Sequence, residues 1–245
     1  MSFSISGKGA VALIGCAALS LSVAACSPGS SNPGAGSTGS QAATAAPSTA
    51  DPDAGLPTGT QLKADLLSTG IPAGYALDSS GSVDTGSGYQ TPSASASAGG
   101  TGCASLEGTS WVSLAGLGSV SFAENDYVDK SSSEEFAQEI DAFQGTTAQG
   151  VMTALSNIAT KCPTFKDSQT SSTVKVSVAT SASPDDGAVV ITLSDPSWEG
   201  ATTLEAIRVG HSVVTVLSTA NSGSAAFAKS TASQIAARLA AAVSK

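Results

Sequence analysis

Charge, aromatic surface and catalytic side chains are all scarce in this sequence: 12% of its 245 residues are charged, 4% are aromatic, and His211 is the only histidine. Each shortage excludes something. Lysine and arginine number 10 against 19 aspartates and glutamates, for a formal net charge of −9. No basic surface is available to neutralise phosphates, which argues against a nucleic-acid partner. The same acidity opposes electrostatic adhesion to anionic headgroups. A Ser/His triad would have to use His211, which falls in a two-residue Gly210-His211 break between strand-like segments, and no Gly-x-Ser-x-Gly elbow surrounds a serine. Histidine there reads as a solvated turn residue rather than a general base, so no enzyme is expected.

Long apolar runs are missing too. The apolar run near the start, Ala10 to Ala25, is about 16 residues, short of the roughly 20 that a bilayer span needs. It follows a polar stretch carrying Lys8 and ends in the small residues Val23-Ala24-Ala25 before Cys26. That is the tripartite build of a secretory signal over residues 1–25. The run Val23-Ala24-Ala25-Cys26 resembles the lipobox of bacterial lipoproteins, and the resemblance implies that Cys26 is diacylglycerated and becomes the new N-terminus. Two or three acyl chains hold stably where one is marginal. The expected address is the extracytoplasmic face of the cell membrane, through the lipid.

With Cys16 in the signal and Cys26 lipidated, Cys103 and Cys162 remain. In an oxidising exterior such a pair reads as a disulfide, closing a loop of about 60 residues for roughly 4 kcal/mol in the chain-entropy model. Two cysteines without a nearby histidine fall short of a zinc site. Asp185 and Asp186, ahead of Gly187, lack the spacing of a calcium loop and read as a turn. No metal or cofactor is expected.

Residues 26–57 are nearly all Ser, Gly, Ala, Thr and Pro and read as a disordered tether with a reach of about 30 Å. Order is expected from residue 58 to 245, opening with a helix over Thr58–Thr69 that places Leu62, Leu66 and Leu67 at helical spacing. Residues 79–102 repeat the tether's composition and read as a disordered loop rather than a binding lid. Val120 and Phe122 alternate with Ser119 and Ser121 in a strand pattern within Leu114–Tyr127. A helix is then expected from Ser132, with Glu135 completing a capping box and Phe136, Ile140 and Phe143 on one face. Glu134, Glu135, Glu139 and Asp141 would form its solvated face rather than a catalytic carboxyl set. A second helix runs from Ala148 through Val151 and Leu155 to Cys162, where Pro163 stops it.

Four strand segments follow, Thr173–Thr180, Ala188–Leu193, Thr203–Val209 and Ser212–Thr219, and then an amphipathic helix over Ser224–Lys245. The class is α+β, an antiparallel sheet of about five strands covered by helices. The two tryptophans, Trp111 and Trp198, are candidate ligand contacts, although filling core volume is the commoner role for tryptophan in a chain this poor in aromatics.

The opening helix leading to Pro72-Ala-Gly-Tyr75, the helix ending in Cys162 and the hairpin strands closed by a helix resemble the extracytoplasmic sensor domain of the actinobacterial serine/threonine kinase PknH and lipoproteins that share it. The resemblance would cover Thr58 to Lys245. It implies a non-catalytic domain that binds a small ligand or envelope protein in a cleft between sheet and helices. That family domain carries two disulfides, whereas this chain has cysteines for one.

Overall fold

The computed structural model describes residues 51–93, 103, 106, 112–132, 134–168, 170–181, 187–221 and 223–243. The signal, Cys26, most of the tether, Trp111, Asp185 and Asp186 lie outside the described residues.

The first helix, α1 (Gly59–Asp65), begins where its capping chemistry dictates. The Gln61 amide donates to Thr58 Oγ1 at 3.4 Å and the Thr58 amide donates to Gln61 Oε1 at 2.8 Å, a reciprocal capping box. It turns Leu62 fully inward, and the extended residues Leu66 and Leu67 follow it into the core.

Eight strands form one sheet: β1 (Tyr75–Asp84), β2 (Ser121–Asp129), β3 (Glu135–Ala142), β4 (Thr164–Lys166), β5 (Thr173–Ser181), β6 (Ala188–Ser194), β7 (Ala201–Val209) and β8 (Ser212–Asn221). Their order is β1-β2-β3-β8-β7-β6-β5-β4, and every neighbouring pair is antiparallel. The α+β class stands, with eight strands rather than about five. Asp51–Lys245 makes one compact unit.

Side-chain alternation along β8 splits the interior into two cores. Val214 and Val216 face one layer, α1 with the closing helix α4 (Ser224–Val243), which contributes Ala228, Ala232, Ile235 and Leu239. Val213 and Leu217 face the other, where α2 (Thr147–Ser156) brings Val151 and Leu155 and the short α3 (Ile158–Lys161) brings Ile158. The expected single helix up to Cys162 is thus two, parted at Asn157. Cys103 and Cys162 are bonded, with a sulfur–sulfur distance of 2.04 Å and Cα atoms 5.5 Å apart. Both are half-buried and pack against the α2-side core.

Two expectations are overturned. The segment from Ser132 is not a helix: β3 is a strand, paired along its length with β2 on one side and β8 on the other. Ladder hydrogen bonds on both edges outweigh the local helical spacing. Ser132 and Ser131 serve the β2–β3 turn instead, where the Ser131 amide donates to Asp129 Oδ1 at 2.7 Å and the Glu134 amide to Ser132 Oγ at 3.3 Å. The 79–102 segment is likewise not loop throughout, because residues 79–84 belong to β1. There Ser80 donates to Asp78 Oδ1 and Ser82 Oγ donates to the Asp78 carbonyl at 2.8 Å, across a bulge between Asp78 and Val83. The serines that suggest disorder by composition supply the bonds that shape this edge strand.

Candidate ligand cleft

The helices cover the two sheet faces unequally. On the face opposite α1 and α4, α2 contacts β5 to β8 and α3 contacts β5. Over β1 to β3 that same face is covered by residues 85–93 and by Val112–Ser119, which includes a single 3₁₀ turn (Val112–Ala115). Beneath them lies a cleft of about 360 Å³, on the scale of a small-molecule site.

This cover is fastened from below. The Gln90 amide donates to the Val120 carbonyl at 2.8 Å, Gln90 Nε2 to the Ser119 carbonyl at 3.1 Å, and the Thr85 amide to the Phe122 carbonyl at 3.1 Å. Tyr89 Oη donates to the Leu56 carbonyl. Gly118 lets the two segments meet, since a Cβ there would stand 2.5 Å from the Ser93 backbone nitrogen and oxygen. The upper wall mixes apolar Val112 and Leu117 with Gln90, Thr91, Ser93 and Ser119, and Val83 and Leu117 stay partly exposed.

The floor is acidic. Strand parity sends Phe122, Glu124 and Asp126 of β2 to this face, and Glu135, Glu139 and Asp141 of β3 with them. Register places Glu124 directly opposite Glu139, Phe122 opposite Asp141, and Asp78 of β1 opposite Asp126. Like charges directly opposite destabilise a sheet, and burial makes each charge costlier. Glu139 is 8% exposed and Asp141 4%.

The carboxyls respond by keeping protons. Burial first, then Asp126 and Asp141, push Glu124 up to about 8. Burial also lifts Glu139 well above the carboxylate range, reinforced by Asp141, Glu124 and Asp126. Asp126 and Asp141 rise to about 6, held back by hydrogen bonds from Glu124 and from Ser119 and Glu139 respectively. Two ionised carboxylates cannot hydrogen-bond to each other, because neither has a donor. Each strand therefore carries a glutamic acid donating to the aspartate two residues on, Glu124 to Asp126 and Glu139 to Asp141. Asp126 Oδ1 and Asp141 Oδ2 remain buried without a hydrogen-bond partner. Beside the cleft, a recess of about 60 Å³ is lined by Asp78, Asp126 and Glu135.

This arrangement can exchange protons near neutrality and holds two buried carboxyl oxygens, on Asp126 and Asp141, that no hydrogen bond satisfies. It is not a metal cage: among the described residues no three His, Cys, Asp or Glu side chains are placed to hold an ion.

Glu134, Glu135, Glu139 and Asp141 were expected on a solvated helix face, and Glu139 and Asp141 are instead buried in the cleft floor. The sequence held a usable signal in the two i, i+2 carboxyl pairs Glu124-x-Asp126 and Glu139-x-Asp141. Trp198 sits in the β6–β7 turn, where its amide donates to the Asp195 carbonyl at 3.1 Å, and it packs half-buried against the α2-side core. It does not line the cleft. His211 occupies the β7–β8 turn, exposed, with Nδ1 2.8 Å from the Gly145 carbonyl. A carbonyl only accepts, so Nδ1 carries the proton and the ring ties that turn to the one before α2.

No family model, no curated protein and no solved structure matches this chain. Among the described residues, no helix is long and apolar enough to cross a membrane.

Proposed function

We propose that this chain is an exported, lipid-anchored protein whose folded domain binds a small ligand, without catalysis, in the cleft over β1 to β3. The observation that carries the reading is the cleft's construction: a small-molecule volume with apolar Val83, Val112, Leu117 and Phe122 in its walls above a floor of buried carboxyls, where Asp141 Oδ2 lacks a partner. Binding sites concentrate convergent polar groups within an apolar hollow, and buried groups with displaced titration cluster at functional sites. The resemblance to the PknH sensor domain points the same way; it rests on the sequence order of an opening helix leading to Pro72-Ala-Gly-Tyr75, a helix ending in Cys162 and hairpin strands closed by a helix, and the single cysteine pair departs from that family's two disulfides.

Anchor and ligand site have separate tests. Cys26→Ala should move the protein from the membrane fraction to the soluble extracytoplasmic fraction, and unchanged membrane retention would remove the anchor. For the site, the thermal midpoint of oxidised protein spanning Asp51–Lys245 is measured against envelope lipids, glycan fragments and small metabolites. A ligand at 100 times its dissociation constant stabilises by about 2.7 kcal/mol, a shift of several degrees. A shift that Asp141→Asn abolishes places the ligand in the cleft. Silence across the panel turns the reading towards a structural or partner-binding envelope protein.

A further inference from the structure

We propose that the ligand of this cleft is a small organic cation, an amine or guanidine carrying an apolar body, whose charged head is received by Glu124, Glu139 and Asp141. The inference rests on the reading of the cleft as a ligand site and adds the chemistry of what enters it.

Two independent observations meet here. Glu124 and Glu139 face each other across β2 and β3, Asp141 lies two residues along from Glu139, and all three line one cleft. Separately, Asp141 is 4% exposed and its Oδ2 has no hydrogen-bond partner. A buried acceptor left unsatisfied is costly, and a donor from the ligand removes that cost. An anion would meet Asp141, which is mostly ionised at neutral pH and whose unpartnered oxygen can only accept. A bare divalent ion needs six or more converging oxygens, and no such group exists among the described residues. The walls decide the remainder. Val83, Leu117 and Phe122 border the carboxyls, so an alkyl chain or ring can lie against them while an ammonium or guanidinium points down, with Phe122 offering an aromatic face.

Cation entry must then displace protons. The groups acting on the floor carboxyls are other carboxyls: Asp78 from β1, Glu124 and Asp126 from β2, and Glu135, Glu139 and Asp141 from β3, with the Ser119 hydroxyl above Asp141. Among the described residues, no lysine, arginine or histidine lines the cleft. An arriving positive charge favours the ionised carboxylates, so binding at neutral pH releases protons to the buffer.

The experiment is isothermal titration calorimetry on oxidised protein spanning Asp51–Lys245 at pH 7, in two buffers of different ionisation enthalpy. Agmatine and hexylamine are the cationic probes; hexanol, hexanoate, CaCl₂ and MgCl₂ are run separately. The expected result is saturable binding of agmatine or hexylamine alone, with an enthalpy that changes with buffer, weakened on the order of tenfold or more in Asp141→Asn and in Glu139→Gln. Circular dichroism on both variants shows that the fold persists. Binding of hexanol or hexanoate in preference, lost on Leu117→Ser, overturns the cation assignment while leaving the ligand site standing. A Ca²⁺ or Mg²⁺ response abolished by Asp141→Asn overturns it in favour of a metal. No saturable binding of any probe overturns both the cation and the small-ligand site.

Discussion

Raising the pH should weaken this fold through the neutral range, and the carboxyl floor sets the size of the effect. Glu124 is held up to about 8 and Glu139 well above its usual value, whereas both ionise near 4.5 in the unfolded chain. At pH 7 the folded state therefore keeps most of a proton on Glu124 that the unfolded state has lost, the raised Glu139 acts in the same direction, and stability falls as pH rises. The contribution is complete below the unfolded values, diminishes from about pH 4 upward, and is lost for Glu124 as pH passes about 8. A retained proton corresponds to on the order of 1 kcal/mol per pH unit. Relaxation and water entry reduce that figure, and half of it moves the thermal midpoint by about 1–2 °C per pH unit for a domain of this size.

The assay is urea unfolding of the disulfide-intact protein at pH 5, 6, 7 and 8. Glu139→Gln keeps the shape and removes one titrating group, so it should flatten the slope and be more stable than wild type at pH 8. Glu124→Gln should do the same, and the double variant should be nearly level above pH 7. Stability that is flat or rising from pH 5 to 8 in the wild type, or a slope unaltered in both variants, would refute the protonated floor. Below pH 4 the sign reverses. Hydrogen bonds from Ser80, Ser131 and Ser172 with Ser197 depress Asp78, Asp129 and Asp195, and one from Lys63 depresses Asp84. Their contributions are present above the unfolded carboxyl value and lost as pH falls through the depressed ones.

Phe136 is 1% exposed, with ring centroids of Tyr127, Phe227 and Tyr75 at 4.6, 4.9 and 5.0 Å; Phe136→Ala should cost about 3–5 kcal/mol in urea unfolding, and a loss under 1 would contradict that packing. Cutting the Cys103–Cys162 bond with the double serine variant should cost roughly 2–4 kcal/mol while leaving the far-ultraviolet dichroism unchanged; an unaltered midpoint would count against the bond. Gly118→Ala should press the cleft cover off Ser93 and cost about 1–3 kcal/mol, with faster amide exchange at Gln90, whose amide holds the cover to Val120. Exchange at Gln90 unchanged in that variant would show that the close approach is dispensable.

Much of the fold was legible in the sequence. β5 to β8 carry short apolar runs broken at Asp195-Pro-Ser-Trp and at Gly210-His211, and both breaks are turns in the structure. The stripe Ala228, Ala232, Ile235 and Leu239 is the buried face of α4, and Leu62, Leu66 and Leu67 are buried as their spacing suggested. β1 and β3 were not legible, because each is defined by a distant partner. Phe136 and Ile140 are four apart, a spacing that keeps them on one side of a helix and of a strand alike. Only Phe143 separates the two periods, and the Ser132–Glu135 capping-box match tipped the reading to helix. What decides is the ladder to β8: the Glu135 amide donates to Thr219 Oγ1 at 2.8 Å and Thr219 Oγ1 to the Glu135 carbonyl at 2.9 Å, 84 residues apart.

The misread strand and the candidate site are one piece of chain, for a physical reason. A helix over Ser132–Phe143 would set Glu139 and Asp141 in water, where carboxylates are inexpensive, and a sequence reader takes that solution. The strand sets them under the cleft cover, Glu139 opposite Glu124 and Asp141 two residues along on the same face. Local preference and global fold thus disagree where the charge burden is greatest, and such disagreements concentrate at functional positions. A sheet needing only a filled core could place leucine or valine at 124, 139 and 141 and shed the repulsion at no cost in register. Acids retained there make sense if something positive, proton or ligand, occupies the floor, and the pH slope and the calorimetry ask that question of the same side chains by independent means.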